Sequence, residues 1–324
     1  MLNWKGGVCV FVTVYGVRKG EEDLYRSYSA ELGFSVVLVY EEPTLENLCL
    51  AEGSSAVLIR TRQFPRPYVE KLKEMGIRYL CTRSVGTDHI DADACREMGI
   101  EYTGVNYSPD TVAEFAVMLM LMGIRKLPMV MKLASVQDCT LTKAKRGREL
   151  RDCVVGVIGT GRIGRRVVEL LQAFGSEVIA YSHTASVEGI EYVTLDELLG
   201  RSDIITLHIP GQARPVLGSR EFSLMKDGVV LVNTARGSLI DQEALLGALE
   251  SGKVGTALLD VLVDEKIMYH LDKRGVPVPN RYYNILRSFP QVHLTPHMAF
   301  FTDGAVDELA RHSLEWVRDR IFNC

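Results

Sequence analysis

The sequence predicts an α/β protein built from two doubly wound domains, each with a parallel β-sheet. Short runs rich in β-branched residues alternate with stretches of helical length along most of the 324 residues, and this alternation is typical of βα units. The rhythm stops near residue 104 and begins again near residue 154, so the chain contains two such series. Its length also agrees with two domains of roughly 150 residues each.

The first series contains five predicted strands and three predicted helices. The strands are Val8–Tyr15, Ser35–Tyr40, Ala56–Arg60, Tyr79–Thr82 and Glu101–Thr103. Apolar residues at helical spacing between them predict the helices Glu21–Leu32, Pro67–Met75 and Ala92–Met98.

A helix that is apolar nearly all round follows the first series. Ser108 is a suitable N-cap and Pro109 suits the first helical position, so we expect the helix to begin there and continue to about Arg125. A helix without a polar face is buried. We therefore interpret it as a connector between domains, with Tyr107 at the junction where a cleft would open.

The second series contains the remaining predicted elements. Its strands are Val154–Gly159, Glu177–Tyr181, Ile204–His208, Val229–Asn233, Thr256–Asp260 and His293–Thr295, and its helices include Gly164–Phe174 and Asp241–Glu250. Residues 263–290 are predicted to be a long irregular insert, which in a compact domain is often functional. An amphipathic helix, Thr302–Ile321, follows. We expect residues 1–103 and 299–324 to form one domain and 104–298 the other.

Composition excludes several classes of protein. The 37 basic and 41 acidic residues give a net charge of −4, so nucleic acid is not an expected partner. The longest apolar run, Phe115–Gly123, is too short to span a bilayer, and the N-terminus lacks the features of a signal peptide. The seven cysteines form no CxxC pair, and the histidines show no metal-binding spacing. We expect a soluble, cytoplasmic protein without a metal or a membrane partner.

The clearest motif is a GxGxxG between a predicted strand and a predicted helix, and it reads Gly159-Thr160-Gly161-Arg162-Ile163-Gly164. Gly159 permits a tight turn, Gly161 lets a pyrophosphate approach the backbone, and Gly164 lets the helix pack closely on the strand. The N-terminus of the following helix favours an anion. This motif predicts a Rossmann domain that binds NAD(H) or NADP(H).

The predicted ribose site differs from the usual NAD site. An acidic residue normally follows the second strand there, whereas this chain has Ser182, His183 and Thr184. Without a carboxylate, a 2′-phosphate is not repelled and these side chains are potential donors to it. Two alternatives remain open: tolerance of or preference for NADP(H), and a relaxed NAD(H) site with a solvent-exposed loop.

Three further motifs follow predicted strands of the same sheet. They are Asn233-Thr234-Ala235-Arg236-Gly237, Asp260 with Glu265, and Thr295-Pro296-His297. Because the carboxyl ends of parallel strands share one edge of a sheet, we expect these residues to lie where a ligand binds.

The chain resembles the D-isomer-specific 2-hydroxyacid dehydrogenases. The resemblance rests on GTGRIG, NTARGSLID, ALLDVLVDE and LTPHMAFFTD, in this order. Within that family, TRSVGTDHIDADACREMGI and NYSPDTVAEFAV look most like D-lactate dehydrogenases, including those associated with vancomycin resistance. The resemblance implies a flavodoxin-like substrate domain beside the Rossmann domain, and a homodimer formed through residues 110–150.

The resemblance also implies roles for three side chains: His297 as the acid/base, Glu265 as its partner, and Arg236 as the group that binds the substrate carboxylate. Elementary chemistry agrees with these roles. Histidine exchanges protons near neutral pH, a neighbouring carboxylate stabilises imidazolium, and a guanidinium binds a carboxylate with two hydrogen bonds.

Other contacts are implied by the resemblance alone. The expected substrate contacts are the backbone N–H groups of Val85 and Gly86, with Tyr107 and Phe300 lining the pocket. The expected cofactor contacts are Thr234, Ala235, Asp260 at the nicotinamide carboxamide, and His208, Ile209 and Pro210 beside the adenine. The other histidines, including His270, are interpreted as structural or surface residues.

The leading hypothesis is an NAD(P)H-dependent dehydrogenase that reduces a small 2-oxo acid, with pyruvate and D-lactate as the expected pair. Phe300 and Phe301 leave open a relative that acts on larger branched or aromatic 2-oxo acids. A third hypothesis is a dinucleotide-sensing binding protein without enzymatic activity.

Overall fold

The structure, a computed structural model, describes residues 10–183 and 187–322. The predicted strand residues Val8 and Cys9, and Thr184 of the predicted ribose site, lie outside these ranges. The chain divides into two compact units, one formed by Met1–Ser108 with Thr302–Cys324 and the other by Pro109–Phe301. The predicted boundaries lay at 103/104 and 298/299.

The described residues form twelve strands and eleven α-helices. The strands are β1 (Phe11–Tyr15), β2 (Ser35–Val39), β3 (Ala56–Ile59), β4 (Tyr79–Thr82), β5 (Glu101–Gly104), β6 (Val154–Ile158), β7 (Glu177–Tyr181), β8 (Glu191–Tyr192), β9 (Ile204–Leu207), β10 (Val229–Asn233), β11 (Val254–Leu259) and β12 (Val292–Leu294). The helices are α1 (Glu22–Leu32), α2 (Arg66–Glu74), α3 (Ala92–Met98), α4 (Asp110–Ile124), α5 (Leu127–Ser135), α6 (Arg162–Ala173), α7 (Leu195–Arg201), α8 (Ser219–Leu224), α9 (Gln242–Glu250), α10 (Arg281–Leu286) and α11 (Asp303–Phe322).

The first unit contains a five-stranded sheet in the order β2-β1-β3-β4-β5, and its described pairs are parallel. The order reverses between β1 and β3, as in a doubly wound fold. Its core contains Tyr15, Ile59 and Leu80 from three neighbouring strands. Helix α11 packs beside α1, where the Tyr28 hydroxyl donates to Asp307 at 2.8 Å.

The second unit contains a seven-stranded parallel sheet in the order β12-β11-β10-β9-β6-β7-β8. Strand order reverses between β6 and β9, and this reversal places a crevice at their carboxyl ends. Alternate residues enter two cores on opposite faces: Ile204 and Val230 lie in one, Ile205 and Leu231 in the other. Burial on both faces explains why these strands are nearly continuous apolar runs. The predicted fold of two parallel-sheet α/β domains is confirmed.

The start of α4 differs from the prediction. Pro109, not Ser108, occupies the N-cap position. The Ser108 backbone N–H instead donates to the Glu308 carboxylate at 2.5 Å. This bond ties the segment before α4 to helix α11 within the first unit.

The insert 263–290 is not irregular throughout, as the sequence predicted. It contains a 3₁₀ turn at Glu265–Ile267 and helix α10, whose N-cap Asn280 accepts the Tyr283 N–H at 2.9 Å. Prediction also omitted α5, α7, α8 and β8, because short or strongly hydrophobic segments give weak periodicity.

The described residues contain neither a membrane-spanning helix nor a metal-binding cluster. None of their helices combines the length and apolar character needed to cross a membrane. Nor do these residues contain a group of three histidine, cysteine, aspartate or glutamate side chains that could hold a metal ion.

Candidate active site

The predicted motifs of the second unit meet at the carboxyl edge of its sheet. Gly159 follows β6, Ser182 follows β7, His208 follows β9, Thr234 follows β10, Asp260 follows β11 and Thr295 follows β12. Because neighbouring strands are parallel, residues far apart in sequence are brought to one edge.

A histidine–carboxylate pair lies at one end of this edge. His297 Nδ1 is 2.5 Å from Glu265 Oε1, and Glu265 Oε2 accepts the Leu262 N–H at 2.8 Å. The carboxylate is therefore oriented by a backbone donor and in turn orients the imidazole. With Nδ1–H directed to Glu265, Nε2 is the nitrogen that can exchange a proton with a substrate. The His297 side chain is 28% exposed and that of Glu265 is 16% exposed.

Asp260 organises the segment that carries His297. Its carboxylate is fully buried and accepts bonds from the Thr295 hydroxyl at 2.6 Å and from the Met298 and Ala299 N–H groups at 2.9 Å. The Asp260 carbonyl accepts the His297 N–H at 2.8 Å. The structure thus shows a positioning role for Asp260, while its implied contact with a carboxamide stays a prediction.

The turn containing Arg236 is fixed by side-chain and packing contacts. The Asn233 amide accepts the Ala235 N–H at 3.0 Å and donates to the Arg236 carbonyl at 2.9 Å. A Cβ on Gly237 would lie 2.1 Å from the Leu262 carbonyl carbon. Only a glycine at position 237 therefore lets this turn pack onto Leu262. Leu262 lies three residues before Glu265. This packing brings the guanidinium-bearing turn beside the segment that carries Glu265.

The glycine-rich loop has the geometry expected for a dinucleotide. Gly159 has a φ of 95°, and a Cβ on Gly164 would lie 1.9 Å from the Gly159 carbonyl oxygen. At Gly159 a side chain would strain the backbone, and at Gly164 a side chain would clash with it, so both positions need glycine even without a ligand. By contrast, a Cβ on Gly161 would meet nothing within 4 Å. Gly161 therefore leaves open space next to the N-terminus of α6, where phosphates are favoured.

The buried hydroxyl of Thr234 also indicates that a ligand binds at this edge of the sheet. Thr234 is 7% exposed, and its hydroxyl is buried without a hydrogen-bond partner in the described structure. Such a buried polar atom costs free energy unless a ligand or water satisfies it. Together with the space at Gly161, it fits the predicted dinucleotide site.

His208 and Ile209 form the wall of the crevice between β6 and β9. A Cβ on Gly159 would lie 2.4 Å from Ile209 and 2.7 Å from the His208 carbonyl oxygen, so the two loops are in close contact. His208 Nε2 is 2.9 Å from the Thr206 hydroxyl. Burial lowers the pKa of His208 to about 4, and its ring is therefore neutral at pH 7. Pro210 follows at the exposed edge.

The predicted ribose position lies at the end of β7. Gly159 N–H donates to the Tyr181 carbonyl at 2.8 Å, which joins this strand end to the glycine-rich loop. The centroid of the His183 ring lies 5.8 Å from that of the Tyr181 ring. Ser182 is the residue between them in the sequence. Neither Ser182 nor His183 carries the acidic group of a usual NAD site.

The predicted substrate contacts Val85, Gly86 and Tyr107 lie in the first unit. The Ser84 hydroxyl donates to the Gly86 carbonyl at 2.7 Å and holds the loop after β4, in which Val85 is 47% exposed. A Cβ on Gly104 would lie 2.6 Å from the Ser84 carbonyl oxygen, so glycine permits this loop to pack on β5. Contact of Val85, Gly86 and Tyr107 with a substrate stays a prediction.

Phe300 belongs to an aromatic cluster in the second unit. Its ring centroid lies 6.4 Å from that of His297, 6.0 Å from Phe301 and 6.2 Å from His270. From the sequence, His270 is predicted to be a structural or surface residue. The signal that pointed to its segment was the length of the insert 263–290, but no periodic pattern singled out a residue within it.

The second unit thus brings a histidine–carboxylate pair, an arginine-bearing turn and a glycine-rich loop to one edge of its sheet. Comparisons with known proteins identify the family. The sequence profile described as D-isomer specific 2-hydroxyacid dehydrogenase, NAD binding domain, matches residues 117–299.

Relatives extend the similarity to nearly the full chain. A D-specific alpha-keto acid dehydrogenase of Enterococcus faecalis is 39% identical, and the match covers 94% of each chain. An aromatic 2-oxoacid reductase of Clostridium sporogenes is 38% identical, also covering 94% of each. The structure of a D-lactate dehydrogenase from Treponema pallidum superposes with a TM-score of 0.87 at 29% identity, over 97% of each chain. The chain belongs to the D-isomer-specific 2-hydroxyacid dehydrogenase family, whose members are NAD-dependent oxidoreductases.

Proposed function

We propose that this protein reduces a small 2-oxo acid to its D-2-hydroxy acid with NADH, reversibly, and that pyruvate and D-lactate are its principal pair. The observation that carries the proposal is the 2.5 Å contact between His297 and Glu265, at the sheet edge that also carries the glycine-rich loop. This pair is suited to supply a proton to a carbonyl oxygen.

Each proposed side chain has one task in this reaction. Bound nicotinamide would supply the hydride. His297 donates a proton to the oxygen of the keto group as negative charge develops there. Glu265 stabilises the protonated ring, and Arg236 binds the substrate carboxylate.

The first test separates proton transfer from cofactor binding. His297→Gln should lower kcat by at least about 100-fold, because the amide cannot donate a proton to the alkoxide, while the Kd for NADH stays within about twofold of wild type. The measurements are steady-state NADH oxidation and fluorescence titration with NADH. An unchanged kcat in this variant would refute the acid/base assignment.

A matched test addresses the substrate carboxylate. Arg236→Gln should raise KM for pyruvate much more than it changes the Kd for NADH, because the lost bidentate contact is worth about 2–3 kcal/mol. Arg214→Gln, an exposed arginine after β9, is the control. A normal KM in Arg236→Gln would exclude the carboxylate role.

Larger 2-oxo acids form a second candidate substrate class. The cluster of Phe300, Phe301 and His270 favours it, as does the similarity to the aromatic 2-oxoacid reductase. We expect kcat/KM for pyruvate to exceed the values for 2-oxoisocaproate and phenylpyruvate. The reverse order would assign the protein to the larger substrates, and no NADH oxidation with any 2-oxo acid would favour a dinucleotide-sensing protein.

Tolerance of NADP(H) is a further part of the proposal. It is supported by Ser182 and His183 at the end of β7, where no carboxylate repels a 2′-phosphate. We expect NADPH to be used at a measurable fraction of the NADH rate. A preference for NADH above about 1000-fold, roughly 4 kcal/mol, would exclude this tolerance.

We also propose a homodimer located in the cytoplasm. Support for the dimer comes from a groove of about 650 Å³ lined by α4, α5 and the following segment. The cytoplasmic location is supported by free thiols at Cys49, Cys81, Cys95, Cys139 and Cys153, which suit a reducing compartment.

A further inference from the structure

His270, in the insert after Glu265, contacts the backbone of His297. Its Nε2 is 3.0 Å from the His297 carbonyl oxygen, and the two ring centroids are 6.2 Å apart. A carbonyl oxygen only accepts hydrogen bonds, so Nε2 of His270 carries the hydrogen and donates. The His270 ring also packs against Phe300 at 6.2 Å.

The backbone that His270 contacts has an unusual conformation. His297 has a φ of 49°, in the left-handed region that costs a non-glycine residue about 1 kcal/mol or more. Such a conformation persists where surrounding contacts hold it. Because φ and ψ of His297 set the direction in which its ring leaves the chain, this backbone decides whether the ring meets Glu265.

Hydrogen bonds hold His297 on three sides. Its N–H donates to the Asp260 carbonyl at 2.8 Å and to the Thr295 carbonyl at 3.0 Å, its Nδ1 contacts Glu265 at 2.5 Å, and its carbonyl accepts from His270 at 3.0 Å. Asp260 and Glu265 fix the amide and the ring. His270 fixes the remaining backbone group, on the side that leads to Met298.

The position of His270 separates this role from a general contribution to stability. His270 is exposed, whereas the core of the second unit is built from fully buried side chains such as Leu259 and Leu262. His270 itself has a φ of 62°, so any non-glycine replacement keeps the same left-handed backbone, and loss of an exposed side chain otherwise changes stability by about 0.5 kcal/mol or less. The local effect on His297 is therefore measurable without unfolding the protein.

We propose that His270 is a positioning residue for His297: its hydrogen bond to the His297 carbonyl keeps the left-handed backbone that places the imidazole against Glu265. The proposal deepens the proposed function and rests on it. The role is carried by the Nε2–H donor, while packing of the ring against Phe300 is secondary.

Two substitutions separate the donor from the ring. His270→Phe keeps an aromatic ring beside Phe300 but removes the donor, and it should lower kcat about tenfold with KM for the 2-oxo acid and Kd for NADH within about twofold. His270→Gln keeps an N–H donor and should recover most of the wild-type kcat. Lys273→Gln, in the same segment, is the matched control and should behave as wild type.

A second readout does not depend on turnover. The imidazole Cε1–H resonance of His297, assigned by its loss in His297→Gln, should shift in His270→Phe and not in Lys273→Gln. A His270→Phe enzyme with wild-type kcat and an unmoved resonance would overturn the proposal. So would equal losses in both His270 variants accompanied by a raised KM, because the ring itself would then contact the substrate. Wild-type protein that reduces no 2-oxo acid would contradict the proposed function, while an unmoved resonance contradicts the positioning role independently.

Discussion

Glu265 is the residue at which charge and hydrogen bonding are hardest to separate. Its two carboxylate oxygens accept from His297 and from the Leu262 N–H, and an amide has only one acceptor oxygen for these two donors. Glu265→Gln should therefore lower kcat about 10- to 100-fold while NADH binding is retained. Stopped-flow and steady-state kinetics at saturating 2-oxo acid measure the effect.

The neighbouring Asp264 offers a control for this change. Asp264 is exposed and has a φ of 56°, a conformation that asparagine tolerates. Asp264→Asn removes one negative charge from the same turn and should leave kcat within about twofold of wild type. If the two variants lost activity equally, net charge near the turn, and not the contact with His297, would be the cause.

His208 predicts a pH dependence of stability. Burial lowers its folded pKa from 6.5 to about 4, so between these values the unfolded chain binds a proton that the folded chain does not. The free energy of unfolding therefore falls as pH decreases through this window, by no more than about 3 kcal/mol for the full shift. Urea titrations between pH 7.5 and 4.5 measure the slope.

Replacement of His208 tests the origin of that slope. His208→Gln should show a smaller loss of stability on acidification than wild type, because the titrating group is gone. Identical slopes in the two proteins would show that His208 does not control acid stability.

At the scale of elements, glycine is needed for different reasons at two positions of the GxGxxG motif that joins β6 to α6. A Cβ on Gly164 would lie 1.9 Å from the Gly159 oxygen, but a Cβ on Gly161 would meet nothing within 4 Å. Gly164→Ala should lower stability by about 1–3 kcal/mol. Gly161→Ala should leave the melting temperature of the free protein unchanged and weaken NADH binding at least about tenfold.

Calorimetry of the free protein and titration with NADH distinguish these two effects. Wild-type NADH affinity in Gly161→Ala would mean that the cofactor does not approach this backbone. A stable Gly164→Ala protein would mean that the helix can shift away from the strand without cost.

Contact between the turn after β10 and the segment after β11 is a second element-scale feature. A Cβ on Gly237 would lie 2.1 Å from the Leu262 carbonyl carbon, so Gly237→Ala must separate the segments carrying Arg236 and Glu265. We expect a loss of stability of about 1–3 kcal/mol and a fall in kcat/KM. Thermal unfolding and steady-state kinetics measure both.

The same unit supplies a control glycine. Gly247 lies in α9, and a Cβ there would meet nothing within 4 Å. Gly247→Ala should stabilise the protein by about 0.5–1 kcal/mol with unchanged kinetics. A neutral effect of Gly237→Ala beside this result would contradict the close packing of the two segments.

For the whole molecule, the exposed apolar side chains of α5 and the segment after it predict association. Met131 is 60% exposed and Val136 is 73% exposed, and apolar groups clustered on one surface are typical of interfaces. The double change Met131→Glu with Val136→Glu should convert a dimer to a monomer, as measured by light scattering after size exclusion. Leu50→Glu, at a leucine 51% exposed in the first unit, should leave the mass unchanged. A monomeric wild-type protein would contradict the predicted homodimer.

Sequence predicted most elements to within one or two residues, because their signals are local. Strand β4 and helix α3 have the predicted bounds. Differences occurred at helix starts, where a single capping residue gives no periodic signal. Pro109 occupies the N-cap position of α4, where Ser108 was predicted, and Asn280 initiates α10 in an insert with no periodic pattern.

The sequence by itself determined the parallel α/β class, the glycine-rich loop and the residues that follow each strand of the second sheet. These features depend on side-chain alternation and on backbone freedom at glycine, which are local properties of the chain. The pairing of Glu265 with His297 was implied only by the family resemblance, and the tertiary structure alone showed their contact and the bond from His270 to the His297 carbonyl. Those contacts join residues 32 and 27 positions apart across a segment without repeating structure, and no local pattern determines how such a segment returns to the sheet.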